Sequence, residues 1–378
     1  MFLALGAACA PDAVHSLTAP ADASFEVVPI AVGAGGMDAP SHLDFATYDG
    51  SREVVHPDVL RMPASLGGKL LTVVTPYPNS QSKYENPSLF GSSSGEAWAP
   101  PVGTANPLAG TTRGYLSDPD MLYDPARKEL RMFYREVVMS GKRHVADNVY
   151  FMTSTDGAKW SAATLATVDR GHYVVSPSVV RDAAGTWRMW SVDAGKHGCN
   201  SRGNTVQLRR STDGRKWATA TTVRFTQPDF VPWHLDVEWV EARKEYWALV
   251  AAYPRGGACT STSLFLATSA DGTTWTTYPS PVLARGVVPQ FATNVYRSSL
   301  LYDADGTVTI WMSGARTITP GARKSPPTLQ WSAAVARTTA TTLLARVNAP
   351  ATAAKAASTR LEQRGGPPVV ISMDNDAP

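Results

Sequence analysis

Five short segments of the chain carry polar side chains of the kinds that do acid–base or ligand chemistry, at nearly constant spacing. They are His56-Pro57-Asp58, Asp118-Pro119-Asp120, Ser176-Pro177-Ser178, His234-Leu235-Asp236 with Glu238 just beyond, and Arg297-Ser298-Ser299. The last residues of these triplets are 62, 58, 58 and 63 positions apart. Carboxyl groups crowded into one cleft raise one another's pKa, and one held protonated near neutral pH can act as general acid while another serves as base or nucleophile. His56 and His234 read as structural imidazoles in preference to metal ligands, so no metal set is expected.

A second recurrence sets the elements that position these residues. The pattern S-x-D-G-x-x-W occurs at 154–160, 211–217 and 269–275, and a variant at 92–98 has Ser94 in the Asp place. The tryptophans Trp98, Trp160, Trp217 and Trp275 are spaced by 62, 57 and 58 residues. Asp-Gly supplies a turn and the indole packs beside the next hairpin strand. Units of this length with strands on both sides of a turn read as propeller blades. Each unit runs inner strand, second strand, loop, third strand, turn, fourth strand. The expected fold is all-β, a five-bladed β-propeller of four-stranded antiparallel blades over 24–346, between a leader and linker at 1–23 and a flexible tail at 347–378. The fifth unit is the weakest, because 329–338 ends without Asp-Gly or Trp. Residues 24–50 either add a strand that closes the ring or cap one end.

Composition sets outer limits on function. With 378 residues, 43% hydrophobic and 18% charged, the chain can bury one large all-β core without dividing. A net charge of +3 with no basic run argues against nucleic acid as a partner. The start Met1 to Pro11, apolar and small with Cys9 near its end, reads as a lipoprotein signal or a secretory remnant. Either places the protein outside the cytoplasm, secreted or tethered to a bacterial cell surface through lipidated Cys9, and we expect a monomer. No other segment approaches the roughly 20 apolar residues that span a bilayer.

Strand alternation puts the starts of the inner strands and the loops between second and third strands on one face. The triplets above therefore converge with Tyr84, Glu85 and Asn86, with Arg135, Glu136, His144 and Asp147, with Asp193, Lys196, His197 and Arg202, and with Tyr253 and Arg255. Concave polar mouths of this kind bind ligands. Cys199 and Cys259 occupy equivalent loops of successive units, which predicts a disulfide between neighbouring blades.

The x-Pro-Asp strand starts, Asp118-Pro119-Asp120 and the S-x-D-G-x-x-W turns resemble the five-bladed propeller glycoside hydrolases of families 43 and 32 over roughly 50–345. The resemblance implies three acids at the first three strand starts: an Asp base or nucleophile, an Asp that orients substrate and tunes pKa, and a Glu general acid. Asp58 or His56 takes the first place and Asp118 the second. The third departs from the pattern, since Ser176-Pro177-Ser178 stands where the Glu belongs and a Ser cannot donate that proton. Glu85 is the nearest substitute, with Asp236, Glu238 and Glu136 behind it. The expected catalytic set is thus Asp58, Asp118, Glu85 and Asp236. His56, Tyr84, Asp120, Arg135, Ser178, His234 and Glu238 are expected to bind a polysaccharide or oligosaccharide. The reading requires no cofactor and leaves room for a structural or channel cation such as calcium. Two other functions fit the residues: a glycan-binding propeller without catalysis, and a polysaccharide lyase in which His56, His234 or Tyr84 takes a proton while Arg135 or Arg202 clamps a uronate.

Overall fold

The computed structural model describes residues 36–182, 184–319 and 327–349. The leader with Cys9 and all but the first residues of the expected tail lie outside the described residues. In chain order the strands are β1 (Ser41–Leu43), β2 (Val54–Arg61), β3 (Leu70–Pro76), β4 (Ser88–Ser92), β5 (Gly114–Asp124), β6 (Glu129–Ser140), β7 (Arg143–Ser154), β8 (Thr164–Arg170), β9 (Val174–Arg181) and β10 (Trp187–Asp193). They continue with β11 (Thr205–Ser211), β12 (Thr221–Thr222), β13 (Phe230–Val240), β14 (Glu245–Pro254), β15 (Ser263–Ser269), β16 (Thr276–Thr277), β17 (Asn294–Tyr302), β18 (Thr307–Ile318) and β19 (Thr328–Thr339), followed by helix α1 (Ala340–Asn348).

These strands form five antiparallel blades, β2-β3-β4, β5 to β8, β9 to β12, β13 to β16, and β17-β18-β19-β1. In the first blade the fourth strand is reduced to a bridge between Gly91 and Ala99. β3 is buried along its whole length, because blades cover both of its faces. The ring closes by pairing β1 with β19, Ser41 opposite Val335 and Leu43 opposite Ala333. Residues before 50 therefore supply the outer strand of the fifth blade. This explains why the fifth unit lacks the Asp-Gly turn: its outer strand is not reached by a hairpin. β19 instead runs into α1, whose first turn is capped by Thr339 Oγ1 accepting from Thr342 N at 3.2 Å. Leu343 and Val347 of α1 pack into one core with Val282 and Leu283, a use of this stretch that alternation alone did not show.

The S-x-D-G turns have a second role besides turning. Asp271 Oδ1 accepts from the backbone N–H groups of Thr273 and Thr274, both at 2.7 Å, and Ser269 Oγ accepts from Gly272 N at 2.9 Å. Ser94 does the same for Glu96 N at 3.2 Å in the first blade, so the variant turn keeps its function. Each turn then seats on the second strand of the preceding blade. Trp190 Nε1 donates to Gly272 O at 2.9 Å, Arg131 Nη1 to Asp213 O at 3.1 Å, and Trp311 Nε1 to Gly95 O at 2.8 Å. At Gly272, φ is +71° and an added Cβ would lie 2.7 Å from Trp190 Cζ2. Gly272→Ala is therefore expected to cost about 2 to 4 kcal/mol in urea unfolding, from left-handed strain plus overpacking.

Cys199 and Cys259 are disulfide-bonded with Cα atoms 5.0 Å apart, joining the loops of the third and fourth blades as expected. The bond closes a loop of 60 residues. Reduction should lower the free energy of unfolding by about 2 to 4 kcal/mol, read from guanidinium melts with and without a thiol reductant.

Candidate functional site

Each inner strand breaks register where it enters the central channel: between Val55 and Asp58, Ser117 and Asp120, Pro232 and His234, and Val295 and Ser298, with the matching shift of β9 against Trp190 and Val192. His56, Asp118 and Ser176 sit in the bulges with φ of 55°, 50° and 56°. A left-handed non-glycine residue costs energy and persists only where its surroundings hold it. The prolines at 57, 119 and 177 suit the bulges because they have no N–H to offer the ladder.

The bulges split the triplets into two layers. The deeper layer is Asp58, Asp120, Ser178, Asp236 and Ser299, and it staples blade to blade. Asp58 Oδ2 accepts from Met121 N at 2.6 Å, Asp120 Oδ2 from Val179 N at 2.9 Å, Ser178 Oγ from Val237 N at 2.9 Å, and Ser299 Oγ from Val59 N at 3.1 Å. One oxygen of each of Asp58, Asp120 and Asp236 falls within 4.8 Å of the others. A cation is already built in there: Arg297 donates to Asp120 Oδ1 and Asp236 Oδ1, both at 3.0 Å, and to Pro119 O at 2.5 Å. Burial and the neighbouring carboxylates push Asp58 well up, and burial, against the pull of Arg297, carries Asp120 to about 8.

This layering corrects several expectations. Asp58, Asp236, Asp120, Ser178 and Glu238 do not line the mouth pocket, since each lies deeper along its strand. Tyr84 stays on the rim, where its carbonyl accepts from Tyr48 Oη at 2.8 Å. Glu136 is spent on Arg113 at 2.6 Å, Thr111 at 2.6 Å and Asn148 at 3.0 Å. Lys196, His197, Arg202 and Arg255 are exposed and lie outside the pocket wall.

The pocket itself gathers His56, Asp118, His234, Glu85 and Arg135 with Tyr77, Tyr115, Tyr173, Trp233, Tyr296 and Cys259. Its cavity is about 40 Å³, room for a few waters or an ion at its floor. One nitrogen of each imidazole and one Asp118 oxygen lie within 4.8 Å of one another. His56 Nδ1 is 3.0 Å from Thr75 Oγ1 and 3.5 Å from Glu85 Oε2. Its Nε2 faces Asp118 Oδ1 at 3.6 Å, beyond hydrogen-bond length. Among the described residues, the buried Nε2 atoms of both His56 and His234 have no hydrogen-bond partner. Burial, against the pull of Asp118, lowers the pKa of both rings and so favours the neutral imidazole.

Asp118 is held from several sides. Burial alone would raise it, but His56, His234 and Arg135 outweigh that and hold it well below the usual carboxylate range. Asp118 Oδ1 lies 2.9 Å from His234 Nδ1, Ser117 Oγ donates to Oδ2 at 3.0 Å, and Arg135 Nη1 stands 3.5 Å away. Arg135 is fixed in turn by Asp147 at 3.0 Å, which also meets His144 Nε2 at 3.0 Å and accepts from Val174 N at 2.6 Å. Ser176 Oγ approaches His234 Nδ1 at 2.6 Å, the nitrogen that Asp118 already uses. A serine-nucleophile relay needs the acid and the serine on opposite ring nitrogens, so this is not one.

Glu85 reaches the pocket from the loop between β3 and β4, and burial, reinforced by Asp118, raises its pKa well above the ordinary value. Opposite it, Tyr296 Oη accepts from Trp233 Nε1 at 3.1 Å, and burial raises Tyr296 and Tyr115 so that both stay protonated donors. Trp233 and Tyr296 are pocket residues that sequence reasoning missed; the one available signal is that each immediately precedes a recurrent triplet, at His234 and Arg297.

Two imidazoles and a carboxylate, buried and with one ligand atom of each within 4.8 Å of the others, fit a divalent transition ion such as zinc better than calcium, whose ligands are oxygens.

No protein-family model matches the chain. Over 329 residues it is 28% identical to an A type blood N-acetyl-α-D-galactosamine deacetylase of Flavonifractor plautii, a match that covers 73% of this chain and 42% of the relative. The chain thus spans about two fifths of the length of that curated relative. Among solved structures, an N-acetylgalactosamine deacetylase from F. plautii in complex with blood group B trisaccharide superposes with a TM-score of 0.73 at 25% identity, over 82% of this chain and 97% of that one. A xylan β-1,4-xylosidase from Bacillus halodurans (TM-score 0.54, 16% identity, 82% of this chain and 53% of that one) and a thermostable family-43 glycoside hydrolase (0.51, 13%, 74% and 89%) share the five-bladed fold. The fold is that of the family-43 propeller hydrolases, and these similar proteins are carbohydrate-active.

Proposed function

We propose that the chain is a metal-assisted hydrolase that removes the acetyl group from an N-acetylated aminosugar of a glycan. The observation that carries this reading is the buried cluster of His56, Asp118 and His234, one ligand atom of each within 4.8 Å of the others, with Glu85 3.5 Å from His56. His56, Asp118 and His234 would hold the ion. When bound, a divalent ion polarises an amide carbonyl and lowers the pKa of a water molecule. Glu85 takes the proton from the attacking water at its carboxylate and returns it to the departing amine nitrogen. Tyr296 and Tyr115 offer hydroxyl donors where negative charge develops on the carbonyl oxygen. Arg135 and Asp147 keep Asp118 ionised and oriented, as outer partners of metal ligands do. Glycoside hydrolysis asks for two carboxyls free to act on opposite sides of a bond, and Asp118 is tied down by His234, Ser117 and Arg135. The likeness to a deacetylase supports the same choice.

The test is incubation with a glycan ending in N-acetylgalactosamine, with and without a chelator. We expect acetate and an intact deacetylated glycan, lost on chelation and restored by zinc. Cleavage of the glycosidic bond without acetate would instead support hydrolysis by Glu85 and Asp118, both of which line the pocket. A product with a new double bond would mean a lyase, and retention without product a binding protein. The disulfide between Cys199 and Cys259 supports an exported location, with Cys9 as the tether we propose.

A further inference from the structure

Beside the mouth pocket, at the junction of the fifth and first blades, runs a surface groove of about 710 Å³. We propose that it is a subsite for the neutral di- or trisaccharide portion that carries the reacting sugar. The inference rests on the deacetylase reading and adds where the rest of the substrate lies. The mouth pocket, with a cavity of about 40 Å³, has no room for a sugar ring, so the body of a glycan must run outward along the face. A groove of several hundred Å³ is of the size that holds an oligosaccharide segment.

The two cavities share a wall. Trp331 lines the groove, and its ring packs 5.2 Å from Tyr77 and 5.0 Å from Tyr296, both of which line the pocket. The wall is fixed: Trp331 N donates to Glu53 Oε2 at 2.8 Å, and Trp331 Nε1 to Ser80 Oγ at 2.9 Å. Grooves beside Trp98 and beside Trp239 open elsewhere, on the turn side or beyond the deeper layer of the channel. Along the groove stand planar donors and acceptors suited to vicinal hydroxyls. Arg316 donates through Nε and Nη2 to Gln330 Oε1 at 2.9 and 2.8 Å, which leaves the guanidinium's other nitrogen and the Gln330 amide NH₂ to face a ligand. Gln290 joins them from the segment before β17. Arg52 is neutralised by Asp44 at 2.5 Å, so the groove has no surplus of cations that would call for an anionic sugar.

The test compares a methyl glycoside of N-acetylgalactosamine with an A-type trisaccharide ending in the same sugar, in wild type, Arg316→Ala and Gln330→Ala. Acetate release is followed for both, and binding of both is measured by calorimetry. We expect the trisaccharide to bind at least roughly tenfold more tightly than the monosaccharide, as one or two hydrogen bonds to a charged group imply. The ratio of kcat/KM for trisaccharide over monosaccharide should fall about tenfold in each variant, mostly through KM. A ratio unchanged in both variants, with wild type active on both substrates, would overturn the subsite and leave the deacetylase reading standing. If neither substrate releases acetate, that reading fails, and calorimetry decides the groove alone: equal affinity for the two sugars would overturn it.

Discussion

If His56, Asp118 and His234 hold an ion as proposed, His56→Asn and Asp118→Asn should each reduce acetate release by on the order of 10³-fold or more and abolish metal binding. Losing the ion removes both water activation and carbonyl polarisation, worth several kcal/mol of transition-state stabilisation, and each 1.36 kcal/mol is tenfold in rate. Asparagine is the right replacement because both positions have φ near +50°, which alanine adopts poorly and asparagine tolerates. Loss of function can then be separated from unfolding. The readouts are elemental analysis of the purified protein and initial rates of acetate release, beside a thermal melt. A His56→Asn protein that keeps both full activity and full metal content would show that the mouth layer is not the metal site.

Glu85→Gln is expected to lower kcat by roughly 10² to 10⁴-fold with metal content and KM nearly unchanged. Glutamine keeps the shape of the side chain in a site where Glu85 is only 4% exposed, but it cannot carry a proton. The contrast is Asp58→Asn. Asp58 also reads as a catalytic carboxylate in the sequence, as base or nucleophile, yet its carboxyl accepts from Met121 N deep in the channel, and asparagine can still accept that bond. Asp58→Asn should therefore retain activity and change stability by no more than about 1 kcal/mol. Rates of acetate release and urea melts for the two variants distinguish a proton carrier from a blade staple. Equal loss of rate in both would place the chemistry lower in the channel than proposed.

Glu85 and Asp58 carry the same sequence signal, a carboxyl expected at the channel mouth, and their different surroundings show where sequence reading stops. The periodic signals are local: Asp-Gly makes its turn from its own backbone neighbours, and strands alternate with period two. So the five blades, the mouth face and the pairing of Cys199 with Cys259 are legible from spacing. The triplets are legible as channel residues for the same reason. What spacing does not encode is depth. A bulge inserts one residue and re-aims its side chain, which lifts His56 and Asp118 into the mouth and leaves Asp58 and Asp120 below.

Residues whose role depends on a partner far along the chain are beyond reach in the same way. Arg297 matters because it meets Asp120 and Asp236, 177 and 61 residues away, and nothing near Arg297 announces either. His56 and His234 stand next to each other only once the ring has closed, with ring centroids 5.0 Å apart. Closure itself needs Ser41–Leu43, a three-residue strand too short to show a pattern. By itself the sequence determined the repeat, the blade count and the placing of the recurrent triplets at the starts of the inner strands, because those follow from short-range periodicity. Tertiary structure alone decided which of them share a layer, which imidazole nitrogens are left without a partner and hence what the site can hold, because those depend on distances between segments that only packing sets.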